Sequence, residues 1–238
     1  MDTPRMEQMA RMYAAYQPDF IGLQEVYGGT VINTTPTINM QQTILSYLGS
    51  PYAYVDFTDK VAPDAHYTPI LYRTDKWRVI DKDIADEKWV EYANEMHRWN
   101  WAVFENLENP EWKFIVLNLH GPNNLAGAET KDFQPTFFAC VNAQLKMLEQ
   151  EYPDVAIAVT GDFNQPNSST MISTMLAGTS LSNSMTITEN QALHPQGIDH
   201  VFITTEHATL RQLRMVDNKI LRKSSDHSAV FSDFVLKK

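Results

Sequence analysis

Val155-Ala156-Ile157-Ala158-Val159-Thr160-Gly161-Asp162-Phe163-Asn164-Gln165-Pro166 is the stretch on which the reading of the fold turns. Its five leading apolar residues, three of them β-branched, predict a strand buried on both faces. The glycine, aspartate, asparagine and proline behind them predict a loop at the strand's end. The same pattern recurs along the chain. Lys113-Phe114-Ile115-Val116-Leu117-Asn118-Leu119-His120 predicts a buried strand ending on His120, and Gly121-Pro122-Asn123-Asn124 then turns the chain. Phe20-Ile21-Gly22-Leu23 delivers Gln24-Glu25 ahead of a Gly28-Gly29 turn. Ile198 to Ile203 reads as a strand with Asp199 near its start, and Ser224-Ser225-Asp226-His227 opens a last strand, Ser228 to Leu236. Further strands are expected at Tyr52 to Phe57, Tyr67 to Tyr72 and Arg98 to Glu105.

Met6, Met9, Ala10, Tyr13 and Ala14 recur at three- and four-residue spacing, which predicts a helix ending near Gln17-Pro18. A second helix is expected from Phe137 to Leu148. Many strands and three or four helices, without strict alternation, favour an α+β fold of two packed sheets with helices outside over a doubly wound parallel sheet. No glycine-rich phosphate loop occurs, and no repeat of 20 to 50 residues is found.

A chain of 238 residues with 43% hydrophobic and 11% aromatic content is expected to fold as one domain spanning 1–238. The net charge of -10 disfavours a general nucleic-acid surface, because such binding depends on Lys and Arg displacing counterions from phosphates. Against that background Arg211, Arg214, Lys219, Arg222 and Lys223 form a local basic cluster, equally readable as a solvated strand and turn. Cys140, the single cysteine, has no intrachain disulfide partner and reads as a core residue. No apolar run is long enough to span a membrane. Met1 to Gln17 lacks the pattern of a signal peptide, so the compartment stays open.

Glu25, His120, Asp162, Asn164, Asp199, Asp226 and His227 all fall at or beside predicted strand ends, where rigid scaffolds commonly carry functional polar groups. Taken singly, each reads as readily as a loop pair, a rim histidine or a plain turn. Taken in order, they carry a resemblance. Pro18 to Val26, Ile70-Leu71-Tyr72-Arg73, Asn118-Leu119-His120, Gly161 to Asn164, Ile198-Asp199-His200 and Ser225-Asp226-His227 resemble, in sequence order, the motifs of the endonuclease/exonuclease/phosphatase superfamily, the DNase I-like proteins.

This resemblance implies a four-layer α/β/β/α sandwich of two mainly antiparallel sheets with the site at one edge. It further implies a divalent cation, Mg2+ or Mn2+, held by Glu25 and Asp226. Asp162 would orient or deprotonate a water with Asn164 fixing the geometry, and His227 would donate a proton, oriented by Asp199. His120 would hold a phosphoryl oxygen, with Asn123 as a further substrate contact. The family opens with a strand whose terminal Asn contributes to the metal site. This chain begins at the following helix, so a fold lacking that first strand is expected.

The function implied is metal-dependent hydrolysis of a phosphate ester on a small molecule, lipid headgroup or sugar. The alternatives are a DNase I-like nuclease, which the basic cluster would serve, and a non-catalytic binding module.

Overall fold

The computed structural model describes residues 3–27, 30–31, 38–60, 68–85, 98–123, 129–184, 197–216, 225 and 227–237. Its helices are α1 (Thr3–Tyr16), α2 (Met40–Leu48), α3 (Glu129–Glu151) and α4 (Thr170–Leu176). Its strands are β1 (Phe20–Gly22), β2 (Thr30–Val31), β3 (Ile38–Asn39), β4 (Tyr52–Tyr54), β5 (Ile70–Arg73), β6 (Trp77–Ile84), β7 (Trp99–Asn106), β8 (Lys113–His120), β9 (Ala156–Asp162), β10 (Leu181–Asn183), β11 (Asp199–Thr204), β12 (Ala208–Val216) and β13 (Ala229–Leu236).

The largest sheet has the order β10-β11-β9-β8-β7-β6, antiparallel throughout except for the parallel pair of β8 and β9. Opposite it lie β1-β5-β4 and the hairpin β12-β13, while β2 and β3 form a short separate ribbon. Side chains alternate across a strand, and the alternation here separates two cores. Ile115, Leu117, Leu119, Ile157 and Val159 point outward, where Phe137, Phe138, Val141 and Leu145 of α3 and Ile172 and Met175 of α4 cover them. Phe114, Val116, Ala156 and Ala158 point inward and pack with Ile70, Phe20, Tyr72, Phe234 and Leu236 from the facing strands. A third cluster joins Met6, Met9 and Ala10 of α1 and Ile44 and Leu48 of α2 to Ile21 and Leu71. Helix, sheet, sheet and helix follow in four layers.

Among the described residues, β1 pairs only with β5 and β13 only with β12. Both β1 and β13 line a cavity of about 630 Å³, as do Met9, Tyr13 and Tyr16 of α1 and Val116 and Thr160 of the large sheet.

Several boundaries differ from the sequence expectation. The helix expected from Phe137 begins at Glu129 and carries Pro135 inside it. The strand expected over Tyr52 to Phe57 stops at Tyr54, and the one expected from Tyr67 starts at Ile70. β6, α2 and α4 were not anticipated. The Gly28-Gly29 turn lies outside the described residues.

Candidate active site

Register places the chemistry. Asn118 of β8 lies opposite Thr160 of β9, His120 opposite Asp162, and Asp162 opposite Asp199 of β11. Paired residues share a face, and Val116 and Ala158, one alternation back, belong to the inner core. His120, Asp162 and Asp199 therefore stand side by side on the inner face at one end of the large sheet. His200, one residue on, points to the opposite face. There Asn183 Nδ2 lies 3.2 Å from its Nδ1 and Gln165 O lies 2.9 Å from its Nε2, and burial lowers its pKa. It anchors the loop that follows β9.

Asp162 is the centre of the cluster. Asn164 N–H donates to its Oδ1 at 2.8 Å, in a turn where Asn164 adopts φ 51°, a left-handed conformation that asparagine tolerates. The Asn164 side chain is engaged elsewhere: its Nδ2 donates to Gly121 O at 2.9 Å, tying the loop after β9 to the loop after β8. Asp162 Oδ2 then faces two imidazoles, with His120 Nε2 and His227 Nε2 each 3.8 Å away. Those gaps exceed a hydrogen bond and suit a bridging water or substrate oxygen. Gly161 precedes it because a Cβ there would sit 2.1 Å from Leu119 O.

The other imidazole nitrogen of His227 is fixed. Nδ1 lies 2.9 Å from Asp199 Oδ2 and 3.1 Å from Oδ1. An ionised carboxylate only accepts, so Nδ1 carries a proton and Nε2 is the end turned toward Asp162. Burial pushes the Asp162 carboxyl up to about 6, followed by the like charge of Asp199 and, more weakly, that of Glu25; the Asn164 N–H and His227 pull the other way.

Glu25 is exposed and stands at φ 58°, an uncommon conformation for a residue with a Cβ and one that collects at functional sites. Its charge contributes, as the smallest of the causes, to the raised Asp162 carboxyl, but its carboxylate is not among the atoms that meet within 4.8 Å. Asn123 is half-buried in the loop after His120, whose neighbour Pro122 accepts a hydrogen bond at 2.8 Å from Gln134 Nε2 of α3. Asp226 lies outside the described residues. Ser225 and His227 beside it are described, and His227 N–H donates to Ser225 Oγ at 3.1 Å.

Asp162, Asp199 and His227 offer ligand atoms that all lie within 4.8 Å of one another. Two clustered carboxylates, with a third close enough to raise the central one, form a donor set suited to a hard divalent cation, whose charge would offset their repulsion. Sequence reading grouped Asp162, Asp199 and His227 in one site but placed cation binding at Glu25 and Asp226, and Glu25 is not one of this triple. Tyr13 of α1 lines the same cavity as Asp199 and His227, and burial and then the Asp199 charge push its hydroxyl up. Tyr13 reads in sequence as one more apolar position of a helix stripe.

The sequence profile of the Endonuclease/Exonuclease/phosphatase family matches residues 2–227. The chain belongs to this family. Solved structures with the same fold include the endonuclease/exonuclease/phosphatase from Bacteroides vulgatus, 19% identical, with a TM-score of 0.74 over 98% of this chain and 90% of that one. A mannosyl-6-phosphatase from Bacteroides thetaiotaomicron is 17% identical with a TM-score of 0.70, over 98% of this chain and 91% of its own. The human nocturnin catalytic domain with bound sulfate is 15% identical with a TM-score of 0.69, over 98% and 86%. No curated protein matches the sequence. Among the described residues no helix is long and apolar enough to cross a membrane.

Proposed function

We propose that this member of the family is a divalent-metal-dependent phosphoesterase acting on a small phosphate ester, with a sugar phosphate or lipid headgroup as the substrate class. The observation that carries the proposal is the meeting of Asp162, Asp199 and His227 within 4.8 Å, with His120 on the other side of Asp162. A cation held by Glu25 and Asp226 beside this cluster would supply charge stabilisation on the phosphoryl oxygens.

The chain's own groups do the rest. Asp162, with its carboxyl at about 6, is ionised near neutral pH yet basic enough to accept a proton from an attacking water. Asn164 holds one Asp162 oxygen through its backbone N–H, leaving the other for that water. His227, pinned by Asp199, presents Nε2 as the proton donor to the leaving oxygen. His120 and Asn123 bind phosphoryl oxygens. The net charge of -10 argues for a small ester over a polyanionic duplex.

The test is a substrate panel under Mg2+ and Mn2+: mannose 6-phosphate, bis-p-nitrophenyl phosphate, p-nitrophenyl phosphate, plasmid DNA and single-stranded RNA. Turnover of the small esters with little cleavage of nucleic acid is expected. Salt-sensitive nicking as the dominant activity would replace this reading with the nuclease, to which the exposed Arg211 and Arg214 of β12 would then contribute.

A further inference from the structure

One wholly buried polar side chain lies directly beneath the site. Asn118 points into the space between the sheets, on the same face of β8 as the apolar Phe114 and Val116, and is 0% exposed. Its Nδ2 donates to Leu23 O at 2.8 Å and is shared with Thr68 O at 3.1 Å and Pro69 O at 3.3 Å, all on the facing layer. Its Oδ1 accepts from Gln24 Nε2 at 2.7 Å and from Thr160 Oγ1 at 3.0 Å. An amide has two donors and room for two acceptor bonds at its oxygen, so the group is saturated. A saturated buried network fixes a single geometry, and a partly satisfied one would be costly.

The partners are regularly placed. Asn118 stands two residues before His120, Thr160 two before Asp162, and Leu23 two before Glu25. Two residues is one alternation of a strand, so the Asn118 and Thr160 side chains sit one step below His120 and Asp162 on β8 and β9, while Leu23 and Gln24 directly precede Glu25 in the segment after β1. Gly22 makes the approach feasible: a Cβ there would lie 2.4 Å from both Asn118 Oδ1 and Thr160 Oγ1. Three segments from two sheets are thus drawn onto one amide, and the side of the site that carries Glu25 is held against the side that carries His120 and Asp162.

We propose that Asn118 is a positioning residue, acting with Gln24, that sets the distance of Glu25 from Asp162 and thereby the geometry of the cation site. It touches no reacting atom. The inference rests on the reading of Glu25 as a cation ligand, and its effect is on metal affinity through Glu25. Outer groups that orient ligands typically change metal affinity or activity by roughly 10–100-fold when removed.

The experiment measures Mn2+ affinity by isothermal titration calorimetry on the full chain, with melting temperature in parallel. Asn118→Ala is expected to weaken Mn2+ binding roughly 10–100-fold. Gln24→Ala removes only one bond of the network and spares the fold if Asn118→Ala does not; it is expected to weaken binding about 2–10-fold. On a Glu25→Gln background neither change should weaken it further, because both act through that carboxylate. Asn142→Ala is the control. Its side chain ties α3 to Met175 O and Ala177 O on the far face, so it should lower the melting temperature and leave Mn2+ affinity unchanged. Wild-type Mn2+ binding that Gln24→Ala retains in full, or losses that add to those of Glu25→Gln, overturn the positioning role while leaving the phosphoesterase reading intact. A wild type that binds no Mn2+ removes the metal reading itself, and the inference with it.

Discussion

Asp162→Asn should stabilise the metal-free protein while removing its activity. The Asp162 side chain is 12% exposed, and its carboxyl is raised from 3.8 to about 6 by burial and by the charges of Asp199 and Glu25. Folding therefore favours the protonated acid. That contribution is fully present below about pH 4 and is lost as pH rises through about 6, so at pH 8 the ionised group costs about 3 kcal/mol. Asparagine keeps the oxygen that accepts from Asn164 N–H and has no charge to desolvate. It gives up the attraction to His227, so a net gain of about 1–3 kcal/mol is expected, or roughly 2–12 °C in melting temperature for a domain of this size. Thermal denaturation in EDTA at pH 8 measures it, and the advantage of the variant should shrink toward zero by pH 4. A variant that melts below wild type at pH 8 in EDTA, or an advantage that does not change with pH, would refute the reasoning from crowded carboxylates.

Asp199→Asn removes the charge that holds the His227 tautomer and can turn an amide N–H donor toward Nδ1, so kcat on the best ester of the panel should fall by about 10²–10⁴-fold, the usual contribution of a placed acid; a loss under threefold would remove the pair from the mechanism. Gly22→Ala forces a methyl against Asn118 and Thr160 and should cost about 1–3 kcal/mol by urea denaturation, whereas an unchanged midpoint would show that the two sheets do not approach there as closely as described. Phe163→Ala empties a fully buried ring site beside Phe138, His200 and Phe202; a loss of about 3–5 kcal/mol is expected, and one below 1 kcal/mol would mean the loop after β9 is not anchored by that ring.

The strands that carry the site were legible because each is an apolar run with a polar tip, and β8, β9 and β11 follow that pattern closely. β6 escaped because Trp77-Arg78-Val79-Ile80-Asp81-Lys82-Asp83-Ile84 mixes charges into both faces, and its pairing with β7 carries an irregularity near Val79 and Asp81. The strand is set by its neighbour more than by its own pattern. α2 and α4 are nine and seven residues long, too short for periodicity to stand out, and their capping side chains Asn39 and Ser169 read equally well as loop residues. The candidate site residues could be named from their order along the chain, and the Asp199–His227 pairing was expected with them, but the wider contacts of the cluster were not. The Asn118 network draws on groups 42 to 95 residues away, which local pattern does not report. Asn164 shows the same limit: its backbone holds Asp162 while its side chain holds a neighbouring loop. Phe133 packs toward Phe137 with ring centroids 6.3 Å apart, and Trp89 and Tyr92 lie outside the described residues. Lys219, Arg222 and Lys223 of the basic cluster lie outside them too.

The most direct test of the central claim is hydrolysis of bis-p-nitrophenyl phosphate by purified wild type and Asp162→Ala, each assayed with Mn2+, with EDTA, and with Mn2+ restored after EDTA. Wild-type turnover that vanishes in EDTA, returns with Mn2+ and is absent from Asp162→Ala throughout is the predicted result. Turnover that survives EDTA and persists in Asp162→Ala would contradict the account.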